Sequence, residues 1–102
     1  MSTSASRSEL GEARAQQVSV TEDSLVVELL DGRTVIVPVT WYPRLAHGRD
    51  AERANWRFIG DGQGIHWPDL DEDISVEGLL AGRRSGESSS SLRKWFESRR
   101  SG

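Results

Sequence analysis

The sequence predicts a small α+β domain, an antiparallel β-meander or hairpin with two or three short helices, flanked by disordered polar termini. Three observations predict it. Between Val18 and Val39, β-branched and leucine residues recur in short runs broken at Glu22-Asp23 and Asp31-Gly32, the pattern of strands joined by tight turns. Beyond Val39, helix-start residues alternate with Gly and Pro stops, so the helices are short. At 102 residues the chain has room for a single core.

Residues 1–15 are rich in Ser, Ala, Glu and Arg, with too little apolar surface to offset the entropy of ordering, and are expected to be disordered. The domain is placed at 16–82. Val18 with Val20, Leu25–Leu30 and Arg33–Val39 read as three strands. A two-residue type I′ turn at Asp31-Gly32 pairs Leu29 with Thr34 and Val27 with Ile36 on one face, and Glu28 with Val35 and Val26 with Val37 on the other. Both faces are then partly apolar, so the second is expected to be covered by later segments or by a partner.

Thr40 is the expected cap of a short helix through Trp41-Tyr42-Pro43-Arg44-Leu45, with Pro43 tolerated in its first turn and Gly48 ending it. Asp50 is the expected cap of a second helix reaching Asn55. Trp56–Ile59 alternates like a strand, the glycines at 60, 62 and 64 turn the chain, and Ile65-His66-Trp67 is a short strand stopped by Pro68. The acidic loop from Asp69 leads into a last helix capped by Ser75 and stopped by Gly82, with Val76, Leu79 and Leu80 on one face. Residues 83–102 read as a basic, Ser-, Gly- and Arg-rich flexible tail, in which Leu92–Arg100 has the makings of a brief helix.

Composition narrows the function classes. Four of the seven aromatics are Trp, so Trp41, Tyr42, Trp56 and Trp67 are expected to serve as structural core rather than as a shelf for a ligand. The absence of cysteine excludes disulfides, thiolate metal sites and Cys nucleophiles. No apolar run is long enough for a membrane span, and Met1 to Gln17 has no signal-peptide core, so a cytoplasmic location and no membrane partner are expected. Residues 1–82 hold seven Arg against fourteen acids, whereas residues 83–102 hold six basic residues against Glu87 and Glu97. An acidic body with a basic tail argues against a nucleic-acid-binding core and leaves only the tail for such contacts.

One stretch is compositionally unusual: Gly64-Ile65-His66-Trp67-Pro68 followed by Leu70-Asp71-Glu72-Asp73-Ile74, preceded by Asp31-Gly32-Arg33, Val37-Pro38, Trp41-Tyr42-Pro43-Arg44-Leu45, and Arg53 with Trp56. On these motifs the chain, from about Ala15 to Gly82, resembles the bacterial domain-of-unknown-function family 2442. The resemblance implies a partner. Members often sit beside a small protein of unknown-function family 4160, in an arrangement like that of a toxin and its antitoxin. Some larger relatives continue into a helix-turn-helix domain, which is not expected within the residues after Gly82.

Asp69, Asp71, Glu72, Asp73 and Glu77 form an acidic run open to three interpretations: a surface for an Arg- or Lys-rich partner, a cation or substrate site, or a solvated turn with charge favoured at a helix start. His66, with Arg44 and Arg53, marks a possible ligand or polar site. The bland alternative is a half-exposed strand histidine bonded to the acidic loop. A Zn or Fe site would need more ligands than His66 and Asp69, and the second histidine, His47, lies in another segment, so neither a metal nor a cofactor is expected. No serine sits in a nucleophile elbow, and the chain is not expected to be an enzyme. The leading expectation is a small protein-binding module, antitoxin-like, whose partner is a small basic protein encoded nearby. The alternatives are a metal- or small-ligand-dependent enzyme centred on His66 and the acidic loop, and a nucleic-acid accessory factor acting through residues 83–102.

Overall fold

The computed structural model describes residues 13–101, so most of the N-terminal segment expected to be disordered lies outside the described residues. Its last part is ordered: Ala13 and Ala15 are buried, and Ala15 opens the first strand. Strands β1 (Ala15–Val20), β2 (Ser24–Leu29) and β3 (Thr34–Pro38) form one antiparallel sheet in chain order. After a 3₁₀ turn, Val39–Trp41, come helices α1 (Pro43–Ala46) and α2 (Asp50–Ala54). A second antiparallel sheet follows, β4 (Arg57–Ile59), β5 (Gly64–Trp67) and β6 (Glu72–Ser75), and then α3 (Val76–Leu80) and α4 (Ser89–Ser101). Among the described residues no helix is long and apolar enough to cross a membrane.

The β2–β3 hairpin forms where Asp31-Gly32 predicts it, in a register one residue away from the expected one. Val27 faces Val35, Leu25 faces Val37, and Val26 faces Ile36. A type I′ turn needs positive φ at both central residues, and here only Gly32 has it, at +96°. The Gly32 N–H donates to the Leu29 carbonyl and the Leu29 N–H to the Arg33 carbonyl, at 3.1 and 2.8 Å. The loop is therefore Leu30-Asp31-Gly32, a three-residue turn with glycine at the left-handed position. The Asp31 carboxylate secures it by accepting from the backbone N–H of Arg33, at 3.1 Å, and from its Nε, at 2.8 Å. A one-residue slip exchanges the faces of a strand. Val37 is consequently buried and Ile36 is 63 % exposed.

The helices also differ in their caps. Thr40 lies in the 3₁₀ turn rather than at a helix start, and α1 begins on Pro43 with no side-chain cap. Its last carbonyls, of Leu45 and Ala46, are bonded by the Arg53 guanidinium at 2.9 and 2.7 Å. Asp50 lies inside the first turn of α2, and the backbone N–H of Arg49 donates to Glu52 at 2.8 Å. Ser75 caps α3 as expected, its hydroxyl accepting from the Gly78 N–H at 2.8 Å. Glu72-Asp73-Ile74-Ser75, taken for the end of a loop and a helix start, is instead the outer strand of the second sheet. With one apolar residue in four it has no alternation of its own, and its pairing with β5 makes it a strand.

The described residues after Gly82 include helix α4. α4 lies against the domain, with Trp95 in the core and Leu92 and Phe96 packed on it. Trp67 is fully buried and donates its indole N–H to the Arg53 carbonyl at 3.0 Å, and Tyr42 is buried with its hydroxyl donating to the Arg83 carbonyl at 2.9 Å. Trp41 and Trp56 are only half-buried: the Arg84 guanidinium lies over Trp41, and Trp56 meets Phe58.

The two sheets meet where Ala15 donates to the Gly62 carbonyl at 2.7 Å. Gly62 has φ +93°, and a Cβ there would fall 2.5 Å from the Ala15 carbonyl oxygen. Gly32, at φ +96°, has open space around it. Gly62→Ala is therefore expected to cost at least about 2 kcal/mol and Gly32→Ala only about 1 kcal/mol, compared by urea denaturation. Equal costs would mean that the sheets are not in contact at this point.

Candidate functional site

The second sheet divides the acidic run between its two faces, because successive strand residues point to opposite sides. Arg57 pairs with His66 and His66 with Asp73, which makes a charged row across all three strands on the solvent face. The His66 Nδ1 contacts the Asp73 carboxylate. One row along, Ile59 faces Gly64 and Gly64 faces Ser75. Ile59 is 45 % exposed and lies over Gly64 in a shallow open depression that Gln63, Asp73, Ser75 and the Ile74 backbone also line.

Glu72 points the other way and is half-buried. Burial pushes its carboxyl up to about 7; Arg44 pulls it down, and Glu87, Asp73 and Asp71 push it further up. Asp69 accepts from the Asn55 side-chain amide at 2.9 Å. Asp71 is the turn residue before β6, with a left-handed φ of +52° and its side chain 88 % exposed, 3.6 Å from Arg44. Glu77 is exposed in the first turn of α3. The five acids thus belong to different surroundings, and three of them have partners inside the molecule.

The residues grouped as a polar site are separated too. His66 is on the outer face of the second sheet. Arg53 caps α1. Arg44 grips Glu87 with Nε, at 2.9 and 3.0 Å, and with Nη2, at 2.6 Å, and donates through Nη1 to the Leu70 and Asp71 carbonyls. This pairing holds the Glu87 carboxyl below the usual carboxylate range and raises the Arg44 guanidinium. Glu52, Glu87, Trp95 and Arg99 form the other contact network. Nothing in the acidic run pointed to them, although an indole followed one helical turn later by arginine, in an otherwise polar segment, was the available signal. Among the described residues no group of three or more His, Asp or Glu side chains is placed to hold a metal.

Two short antiparallel sheets joined edge to loop, closed by short helices and presenting a mixed charged and apolar outer face, define a small two-sheet α+β domain. The chain belongs to the family described as "Protein of unknown function (DUF2442)", whose model matches residues 15–85. A protein of unknown function from Rhodospirillum rubrum is similar in structure, at 28 % identity and a TM-score of 0.64, over 74 % of this chain and 93 % of that one. An uncharacterized protein from Chromobacterium violaceum shares the fold at 20 % identity, also with a TM-score of 0.64, over 92 % of this chain and 89 % of that one. No curated protein matches the chain.

The position of Glu72 has a pH signature. The unfolded chain releases this proton near the ordinary value of 4.5 and the folded chain near 7, so folding favours the protonated form. The stability associated with it is full below about 4.5, falls as pH rises towards about 7, and is lost above that. Glu72→Gln should leave stability at pH 4.5 nearly unchanged and raise it at pH 8 by about 1–2 kcal/mol, discounted for partial exposure, in urea titrations. Identical curves at pH 8 would contradict the burial of this carboxylate.

Proposed function

We propose that the chain is a protein-binding module that holds a small basic partner on the solvent face of its second sheet, in the manner of an antitoxin and its family 4160 toxin. The observation that carries this is the depression at Ile59. Its apolar part is the Ile59 side chain over Gly64, and Gln63, Asp73 and Ser75 supply polar groups around it. An apolar centre within a polar, hydrogen-bonding rim is the anatomy of a protein interface. Asp73, with its side chain 67 % exposed, supplies negative charge on its rim. Such a charge attracts a basic partner and steers its approach. The acidic run contributes through Asp73, since Glu72 faces inward.

The test is co-expression with a family 4160 protein from the same genome, followed by titration of the purified pair. Ile59→Lys should leave the melting temperature nearly unchanged and weaken the complex by about a hundredfold, or ~2.7 kcal/mol. Asp73→Asn should weaken it less, and raised salt should slow association of the wild-type pair. Failure to form any complex, or wild-type affinity in the Ile59 variant, would remove this proposal.

A further inference from the structure

Helix α4 lies beyond the residues matched by the family model, after a Ser- and Gly-rich connection, and few of its side chains attach it to the domain. Trp95 is its one buried residue among those described, while Leu92, Phe96 and Arg99 are half-buried. Two guanidinium groups lie over the Trp95 indole, with Arg44 5.4 Å and Arg99 4.6 Å from the ring centre. Arg99 continues past the ring to Glu52, donating from Nη1 and Nη2 at 3.0 and 2.8 Å. Phe96 meets the His47 ring edge-on at 4.9 Å. Just before the helix, Glu87 takes the other side of Arg44.

The contact is complementary group by group. The domain offers Arg44 and Glu52, and the segment answers with Glu87 and Arg99. Two charge-assisted, two-point pairs of opposite polarity fix both the position and the direction of the helix, with an aromatic anchor between them. Anchors at helical spacing laid against a prepared surface are a recurrent mode of peptide recognition. Arg99 holds the Glu52 carboxyl down to about 2, so this pair meets as full charges across the neutral range.

The attachment is also reversible in principle. A thirteen-residue helix is marginal in water by itself, and a single buried Trp, worth about 3–5 kcal/mol, must offset the ordering of the helix and its linker. We propose that the surface formed by α1 and α2 is a docking site for an amphipathic partner helix carrying an indole with an arginine one turn later. In this chain residues 87–101 are its occupant in cis, a latch that such a helix displaces. The surface is distinct from the second-sheet face, and the proposal stands independently of that function.

A latch in cis lowers the apparent affinity for any competitor by the fraction of time it is open, and weakening the latch removes that penalty. The probe is a labelled synthetic peptide of residues 87–101, titrated against the full chain. Arg99→Glu places like charges against Glu52 and loosens the chain's own latch while leaving the surface intact. This variant should bind the wild-type peptide about tenfold more tightly than the wild-type chain does, and should not bind a peptide that itself carries Arg99→Glu. A full chain with Glu52→Arg should reverse the preference between the two peptides. If the folded variants bind no better than wild type, or do not distinguish the peptides, the proposal fails. A variant elution volume corresponding to a dimer would assign the occupant to a second copy and also overturn it. Hydrogen exchange on the wild-type chain tests opening directly, whatever the variants do. Amides of α4 should exchange at least about tenfold faster than those of β2, and equal protection would mean that the latch opens only with global unfolding.

Discussion

Arg44 is the joint at which separate stretches of this chain meet. Its guanidinium has donors in a fixed planar fork, and the structure uses each nitrogen: Nε and Nη2 on Glu87, and Nη1 on the carbonyls of Leu70 and Asp71. One face of the group lies against Trp95. A short helix, the turn before β6 and the approach to the last helix are thereby held by one side chain. The pair is nearly dry, with the Arg44 and Glu87 side chains 15 % and 8 % exposed. Ion pairs withdrawn from water add little net stability but are strict about geometry. Arg44 therefore acts chiefly to set positions. It also draws the Glu72 carboxyl down, against the burial that raises it to about 7.

Much of the fold was legible in the sequence, and what was not has identifiable causes. The meander, a short helix containing Pro43, Arg44 and Leu45, the Ser75 cap and the short Ile65–Trp67 strand follow from local chemistry, which the structure obeys. The hairpin was located by Asp31-Gly32, but its register depends on the Asp31 carboxylate holding Arg33, a side-chain effect that dipeptide preferences do not carry. β6 was invisible because Glu72 and Asp73 are ordinary loop residues until β5 pairs with them. A brief helix was legible over Leu92–Arg100, but the docking of α4 was not. Its order comes from Trp95, Glu87 and Arg99 finding distant partners, and such partners have no periodic signature.

The site was legible in composition and illegible in arrangement. Asp71, Glu72 and Asp73 are neighbours in sequence and suggest one negative surface. A strand places adjacent residues on opposite faces, so Glu72 goes inward to a half-buried cluster while Asp73 goes outward to His66. The depression at Ile59 needed the pairing of three strands before it existed at all, and its centre is a glycine, which offers a sequence reader nothing but a turn.

The hairpin register also bears on how this chain finds its fold. In the slipped alternative, Thr34 and Ile36 would take the core positions that Val35 and Val37 hold. The two sets have almost the same bulk, and the main core penalty of the alternative is a single buried hydroxyl, about 1–3 kcal/mol. Hydrophobic collapse alone thus separates the two hairpins weakly. The turn completes the discrimination: Gly32 in its left-handed conformation and Asp31 clasping Arg33 favour one closure. A few polar atoms at an exposed loop tip therefore act together with the buried face in selecting one register of the sheet.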